Sequence, residues 1–224
     1  MGNKISVIMS VYNDQDNISN SIKSILGQTY KDFEFLILDD CSTDNTYEEI
    51  KKFTTDPRIK LYKNSKNIGL TKSLNFLIEK SSGKYIFRQD SDDVSLSQRF
   101  QEQLNVLERE IYQVCTSRAI NMQNNKTIPG LSSWVPKKIS IKYKNPYIHG
   151  TLAIQKSLLN NIGNYDEDYL YAQDFKLFLD LIKKNKKIFE IKKPLYKLNT
   201  KNNISTMNKN KQRYYFLKAL SQTK

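Results

Sequence analysis

Apolar residues in the first half of the chain follow two alternating patterns. Continuous apolar runs such as residues 5–11 and 33–38 are typical of buried parallel strands. Between these two runs, apolar residues recur at helical spacing from Ile18 to Leu26 and stop at Gly27. The same alternation predicts further strands at 58–62 and 84–88, and helices around 47–53, 70–78 and 100–107. We therefore predict an α/β protein, with a mostly parallel central sheet flanked by helices.

The second half has a less regular pattern. Residues 112–123 and 126–131 flank Asn124 and Asn125, which predicts a small antiparallel hairpin. Residues 132–145 show no period and are predicted to form a loop. The remaining elements are predicted as strands at 150–154, 187–191 and 195–198, and as helices at 157–162 and around 174–182.

Polar residues follow three of the predicted strands at the point where each strand ends. They occupy residues 10–13, 39–42 and 90–93. In open parallel sheets, ligands bind beyond the carboxyl ends of the strands. We therefore expect the three segments to converge on one crevice.

The most acidic of these segments is Asp90-Ser91-Asp92-Asp93. Its three carboxylates repel one another, so the fold must either solvate them or offset their charge. Mn²⁺ and Mg²⁺ bind through one or two carboxylates together with the phosphate oxygens of a substrate. A solvated turn that caps the next helix explains the same residues. The position at a strand end favours the metal site.

Other acidic residues have ordinary structural explanations when taken alone. Asp44 is suited to cap a helix, in which Thr46 and Glu49 have the spacing of a capping box. Asp174 is a favourable residue for the first turn of a helix.

Composition and charge narrow the class of protein. Hydrophobic residues make up 38% of the chain and charged residues 26%, as in soluble globular proteins. Cys41 and Cys115, without a secretory leader, predict no disulfide framework and a cytoplasmic protein. The net charge of +13 fits solvated lysines, a phosphorylated substrate or an anionic membrane. The basic residues form no arginine-rich tract, so nucleic acid is the least favoured partner.

Two enzyme classes are disfavoured by missing motifs. His149 is the only histidine, and no Gly-x-Ser-x-Gly turn accompanies it, which argues against a serine hydrolase. We interpret His149 as a pocket-lining or a structural residue. The sequence also contains neither the glycine-rich motif of dinucleotide enzymes nor a phosphate-binding P-loop.

A series of short motifs extends over roughly residues 3–200. The motifs are ISVIMSVYN at 5–13, SILGQTY at 24–30, LDDCSTDNT at 38–46, NIGL at 67–70, SLN at 73–75, GKYI at 83–86, DSDD at 90–93, HGT at 149–151, IGNYD at 162–166 and QD at 173–174. In order and spacing, this series resembles the family 2 glycosyltransferases. The resemblance implies a GT-A fold and a single-displacement, inverting transfer from a nucleotide sugar.

The resemblance also implies roles for individual residues. Asp174 becomes the general base, and Asp92 the principal metal ligand beside Asp93. His149, Gln173 and Lys197 are candidates for the acceptor site or the pocket wall. The residues expected to contact the nucleotide sugar are Ser10, Tyr12, Asn13, Asp39, Asp40, Asn67, Asp90 and Ser91.

Several positions depart from the family pattern, and two of them bear on the proposed roles. Gln173 stands where the family usually has a glutamate, and Asn199 stands where a histidine often contacts the diphosphate. Lys197 is a candidate to replace that histidine. These departures leave a non-catalytic nucleotide-sugar-binding subunit as one alternative. A nucleotidyltransferase is the other, although the glycine- and basic-rich loop typical of that class is missing.

We accordingly expect transfer of a hexose or N-acetylhexosamine from a UDP sugar to a glycan or lipid-linked acceptor, with Mn²⁺ or Mg²⁺, as in bacterial surface polysaccharide synthesis. Residues 1–110 are expected to form the nucleotide-sugar-binding half, and residues 111–204 the acceptor-binding half of the same domain. The basic segment 205–224 is expected to form a helix or tail, and its charge suggests peripheral contact with the inner face of the membrane.

Overall fold

The computed structural model describes residues 4–130, 135–201 and 208–222. The predicted strand end at Leu131 and part of the predicted tail lie outside these ranges. The strands are β1 Ile5–Val11, β2 Phe33–Asp39, β3 Ile59–Lys63, β4 Tyr85–Arg88, β5 Val94–Ser95, β6 Val114–Asn121, β7 Thr127–Ile128, β8 Ala153–Gln155 and β9 Ile188–Leu198. The helices are α1 Ile18–Leu26, α2 Thr46–Lys51, α3 Leu70–Lys80, α4 Arg99–Leu107, α5 Lys137–Ser140, α6 Lys156–Asn161, α7 Gln173–Lys183 and α8 Lys209–Ser221.

The first half forms the predicted parallel part of the sheet, in the order β3-β2-β1-β4. Ile8 of β1 lies opposite Leu36 of β2 on one side and Arg88 of β4 on the other. Every residue of β1 and β2 is buried, which explains why both strands appear in the sequence as continuous apolar runs. Because these four strands are parallel, their carboxyl ends lie at the same edge of the sheet.

The second half extends the same sheet through β8, β6 and β9, with β7 paired to β6 and with β5 of the first half at the edge, paired to β9. β8 runs antiparallel to both β4 and β6, whereas β9 runs parallel to β6. The predicted hairpin is present, because β6 and β7 pair antiparallel around the Asn124–Asn125 turn.

Helices cover both faces of the sheet. Alternate residues of β1 point to opposite faces, so Ile8 packs towards α3 and α7 while Val7 and Met9 pack towards α1 and α4. The helix α8 joins the first of these two layers through its buried Ala219. Among the described residues, no helix is long and apolar enough to cross a bilayer.

The structure corrects two predictions in the second half. The segment predicted as a loop at 132–145 contains α5, which the apolar pattern did not reveal because Ile139 and Tyr143 face outwards. The strands predicted at 187–191 and 195–198 are one strand, β9. That strand continues past Pro194 because a register shift against β6 accommodates a residue that lacks an N–H group.

Two further boundaries also differ from the prediction. The strand predicted at 150–154 begins as a 3₁₀ turn, His149–Thr151, before β8. The predicted capping box is wrong, because the N-cap of α2 is Asn45 and its side chain makes no capping hydrogen bond. Asp44 contacts the helix start as expected, since its Oδ1 accepts from the Thr46 N–H at 2.9 Å. Thr46 instead accepts a hydrogen bond from the Asp14 N–H, 2.7 Å from its Oγ1.

Candidate active site

The loops that follow β1 and β2 are held together by hydrogen bonds between their polar residues. The Asn13 N–H donates to Ser42 Oγ at 3.0 Å, and the Thr43 N–H donates to Asn13 Oδ1 at 2.8 Å. Asn13 and Cys41 both have positive φ angles, of 51° and 64°, so each chain turns sharply at the strand end. The predicted convergence of these two segments is therefore present.

The two aspartates at the end of β2 are buried and accept hydrogen bonds from the protein itself. Asp40 accepts from Asn64 Nδ2 at 2.7 Å and from the N–H groups of Ile68 and Gly69 at 2.9 and 2.8 Å. Asp39 is fully buried and accepts from the Ser42 N–H at 3.3 Å. Asp40 thereby shapes the loop before α3, and contact of either carboxylate with a nucleotide stays a prediction.

The third strand end, after β4, lies against the first helix and the last strand. Asp90 Oδ1 accepts from Arg88 Nη2 at 2.6 Å, and the guanidinium of Arg88 is 1% exposed. The Asp90 N–H donates to the hydroxyl of Tyr196 at 3.1 Å, and Ser21 Oγ donates to the Asp90 carbonyl at 2.9 Å. These contacts fix one carboxylate of the acidic segment in a defined orientation.

Asp92 is half-buried among other carboxylates. Burial first, and then the negative charges of Asp90 and Asp14, raise the pKa of Asp92 to about 7. Burial also raises the pKa of Asp14, although hydrogen bonds from Ser91 and Asn17 act in the opposite direction. Asp14 and Ser91 thus connect the loop after β1 to the acidic segment, and the three strand ends form one site.

Asp93 is only 1% exposed and lies deeper than its neighbours. It accepts from the Asn199 N–H at 2.7 Å and from the Tyr196 hydroxyl. Burial, Asp90 and Asp92 raise its pKa well above the usual range. Asp93 therefore holds the end of β9 against the acidic segment, and a direct metal contact by this residue stays a prediction.

Asp174 lies in the first turn of α7, the helix that packs with α3 on one face of the sheet. It follows Ala172, a non-glycine residue with a φ of 55°, which turns the chain into the helix. Asp174 Oδ2 accepts from Asn145 Nδ2 at 2.7 Å. The side chain is half-buried, so one face of this carboxylate remains accessible.

His149 and Tyr165 form a hydrogen-bonded pair, and Gly150, the residue after His149, packs against Asp90. His149 Nε2 is 2.7 Å from the Tyr165 hydroxyl. Burial, followed by the nearby charge of Arg88, lowers the pKa of His149, whereas Asp90 and Asp174 both act to raise it. The short segment 145–150, which contains His149, contacts both carboxylates: Asn145 donates to Asp174, and Gly150 packs against Asp90.

Gly150 allows the His149 turn to pack directly on the acidic segment. A Cβ atom at Gly150 would lie 2.8 Å from Asp90 Oδ2 and against the ring of Tyr196. The Gly150 carbonyl accepts from Arg99 Nη1 at 2.6 Å. Burial lowers the pKa of Arg99 to about 10.

The remaining predicted residues lie at the rim or in the wall of the site. Tyr12 is 49% exposed at the end of β1, next to the buried Ser10. Asn67 is exposed in the loop that Asp40 holds. Gln173 is buried, and Lys197 is exposed on β9 opposite Val94.

Sequence reasoning missed several residues that shape the site. Arg88, Arg99 and Tyr196 looked like strand or helix residues, and only the fold shows them buried against the acidic segment. For Asp14 a signal was available, because it directly follows the first predicted polar strand end. Asn145 is in the segment predicted as a loop and gave no signal.

Solved structures with the same architecture establish the fold class. The S. aureus TarS structure in complex with UDP-GlcNAc matches 92% of this chain, with a TM-score of 0.77 and 21% identity. The mannosyltransferase PcManGT of Pyrobaculum calidifontis, in complex with GDP-Man and Mn²⁺, matches the whole chain with a TM-score of 0.77 and 15% identity. This chain covers 61% and 64% of those two chains. The fold is thus GT-A, as predicted.

Sequence comparison then defines the family. The model of glycosyl transferase family 2 matches residues 6–165. The O-antigen biosynthesis glycosyltransferase WbnJ of Escherichia coli is 33% identical over 186 residues, which are 80% of this chain and 71% of WbnJ. WfgD of Escherichia coli, a UDP-Glc:α-D-GlcNAc-diphosphoundecaprenol β-1,3-glucosyltransferase, is 30% identical over 81% of this chain and 70% of its own length. The chain therefore belongs to glycosyl transferase family 2.

Proposed function

We propose that this protein transfers a hexose or N-acetylhexosamine from a UDP sugar to a hydroxyl group of a glycan or lipid-linked acceptor, with inversion at the anomeric carbon. One observation carries the proposal: Asp90 of the acidic segment and Asp174 both pack against the short segment 145–150, through Gly150 and Asn145 respectively. WfgD, whose name specifies a UDP sugar and a diphosphoundecaprenol acceptor, supports the substrate classes.

The nucleotide is proposed to bind over the ends of β1 and β2. The exposed ring of Tyr12 offers a surface on which a base can stack. Asn13, Asn67 and Ser91 supply polar groups along the rim, and Asp39 and Asp40 are proposed to complete the ribose side.

The residues present fit a divalent cation at Asp92. Asp14, Asp90 and Asp92 concentrate negative charge beside Arg88, and burial together with the charges of Asp90 and Asp14 raises the pKa of Asp92 to about 7. The described residues contain no group of three His, Cys, Asp or Glu side chains placed to hold a metal alone. Mn²⁺ and Mg²⁺ commonly complete their coordination with substrate phosphates and water. When bound, such a cation neutralises the charge of a departing diphosphate.

Asp174 is proposed as the general base. An acceptor hydroxyl is a weak nucleophile until its proton is removed in the transition state. In the proposed step, the hydroxyl proton passes to Asp174 while the hydroxyl oxygen bonds to the anomeric carbon. The bond from that carbon to the UDP oxygen breaks, and its electron pair leaves with UDP. Asn145 holds the carboxylate from one side.

The substitution Asp174→Asn tests this assignment. We expect transfer to fall by roughly 10²- to 10⁴-fold, which is the usual contribution of a positioned base. UDP binding, measured by calorimetry, should persist because the nucleotide side is unchanged. Transfer near the wild-type rate would contradict the base assignment. Wild-type protein that binds UDP sugars but never transfers them would favour the non-catalytic subunit.

A further inference from the structure

Residues 135–144 present apolar side chains to solvent between lysines. Val135, Ile139 and Tyr143 are 42%, 50% and 77% exposed. They are spaced four residues apart, and the helical turns of α5 continue through the Tyr143 and Lys144 N–H bonds to the Ser140 carbonyl. This spacing places Ile139 and Tyr143 on one side of the segment, and the exposed Val135 directly precedes its N-cap, Pro136.

The opposite side of the same segment is anchored in the core. Ser140 is buried, and Ile141 is 3% exposed and belongs to the core that contains α7. Lys137 is held by Glu190 Oε1 at 3.0 Å. The segment therefore has a fixed inner side, and the exposure of its outer side is a property of the fold.

The charged residues of this segment itself are all basic. Lys138, Lys142 and Lys144 are all exposed. No aspartate or glutamate occurs from residue 111 to residue 165, a stretch that contains seven lysines and arginines. We name Val135, Lys138, Ile139, Lys142, Tyr143 and Lys144 the docking face.

We propose that the docking face binds an anionic lipid surface. Aliphatic side chains between lysines combine the two contributions that hold amphipathic segments at a bilayer, namely burial of apolar groups and attraction to anionic headgroups. A second copy of the chain would bring like charges together. A nucleic acid would use the lysines but gain little from Val135 and Ile139, because aliphatic groups do not stack on bases.

The docking face is connected to the site through one residue. Asn145 directly follows Lys144 and donates to Asp174 Oδ2. A lipid surface on this face therefore lies next to the carboxylate that is proposed to activate the acceptor. This connection rests on the proposed function, whereas lipid binding itself does not.

The basic C-terminal helix needs a separate test of lipid binding. The helix α8 exposes Leu217 and Tyr214 but buries Ala219, and its Phe216 packs on Phe175. Deleting α8 would uncover the core, so a deletion cannot test lipid binding cleanly. Substitutions on its exposed side, Arg213→Glu with Leu217→Asp, test it instead.

The experiment is flotation of the full chain with vesicles of phosphatidylcholine alone and with vesicles that also contain phosphatidylglycerol. We expect binding only to the anionic vesicles. The combined variant Lys138→Glu, Lys142→Glu, Lys144→Glu should weaken binding by at least about 100-fold, since each lysine near such a surface contributes roughly 5-fold. Ile139→Asp with Tyr143→Asp should also abolish it.

A charge-matched variant provides the control. Lys51→Glu, Lys72→Glu, Lys187→Glu changes three exposed lysines, in α2, in α3 and before β9, and alters the net charge equally. We expect it to bind better than the docking-face variant. Thermal unfolding must show that all variants are folded. If the Ile139 and Tyr143 substitutions destabilise the protein, the comparison of the two lysine variants still tests the proposal.

Several outcomes would overturn the proposal. These are equal binding to both vesicle types, no binding of the wild-type chain, equal loss in the control variant, or a loss confined to the Arg213 and Leu217 variant. If the chain binds an acidic protein through this face but binds no vesicles, the partner is a protein and the lipid proposal is wrong. Asp174→Asn should bind vesicles normally, so failure of the proposed reaction and failure of this proposal are distinguishable.

Discussion

At the scale of single residues, the position of the acidic segment depends on close contacts made by Asp90. The Asp90 carboxylate is confined by Arg88 on one side and by Gly150 on the other. Its backbone N–H is held by the Tyr196 hydroxyl. A small change at any of these positions therefore moves the acidic segment without touching a proposed ligand.

The substitution Gly150→Ala tests this confinement. Its Cβ would lie 2.8 Å from Asp90 Oδ2, so Asp90 or Tyr196 must shift. We expect a loss of roughly 1–3 kcal/mol in the free energy of unfolding, as for other overpacked positions. Metal-dependent UDP binding should weaken further. Urea unfolding and calorimetry measure the two effects, and wild-type values for both would show that the site is less rigid than its contacts indicate.

At the scale of elements, buried polar residues connect the strands near their amino ends. Glu34 of β2 is 1% exposed, yet it accepts from Lys60 Nζ at 2.7 Å, from the Ser82 N–H at 2.6 Å and from Ser6 Oγ. Burial acts to raise the pKa of Glu34, but these donors lower it from 4.5 to about 2. The carboxylate therefore links β1, β2, β3 and the turn before β4.

This link predicts a pH-dependent contribution to stability. A carboxyl whose pKa is depressed by folding stabilises the protein fully above its unfolded pKa of about 4.5, and the contribution is lost as the pH falls towards 2. The difference corresponds to about 3 kcal/mol. Glu34→Gln should be less stable than wild type at neutral pH, and the gap should close below pH 4.5. Urea unfolding across this range measures it, and a pH-independent gap would contradict the assignment.

The contact between α7 and α8 gives a second prediction at this scale. The rings of Phe216 and Phe175 lie 4.2 Å apart, whereas Leu217 on the same helix is 52% exposed. We expect Phe216→Ala to lower the free energy of unfolding by about 2–4 kcal/mol. Leu217→Ala is the matched control and should change it by less than about 0.5 kcal/mol. Equal effects of the two substitutions would mean that α8 does not stabilise α7.

At the scale of the whole molecule, ligand binding should report on the assembled site. UDP with Mn²⁺ should stabilise the folded chain by about 2.7 kcal/mol at 100 times the dissociation constant. For a domain of this size the melting temperature should rise by roughly 5–10 °C. EDTA should remove most of the shift, and Asp92→Asn should make the UDP effect independent of Mn²⁺. An equal shift for wild type with and without Mn²⁺ would contradict a metal at Asp92.

The sequence alone predicted the parallel half of the sheet well. The runs at 5–11 and 33–38 are buried on both faces, so their composition is dictated by the strands themselves. The three polar strand ends followed from this pattern, because parallel strands finish at the same edge. The hydrophobic pattern failed to predict α5. Ile139 and Tyr143 of this segment are exposed, so its apolar positions do not mark the side that faces the core.

The sequence by itself determined the fold class, the family and the acidic segment with its neighbouring strand ends. Only the tertiary structure decided that Asp90 and Asp174, which are 84 residues apart in the sequence, both pack against the segment 145–150. It also decided that Arg88 and Tyr196 orient the acidic segment. Such contacts depend on which elements pack together, and local hydrophobic periodicity carries no information about that choice.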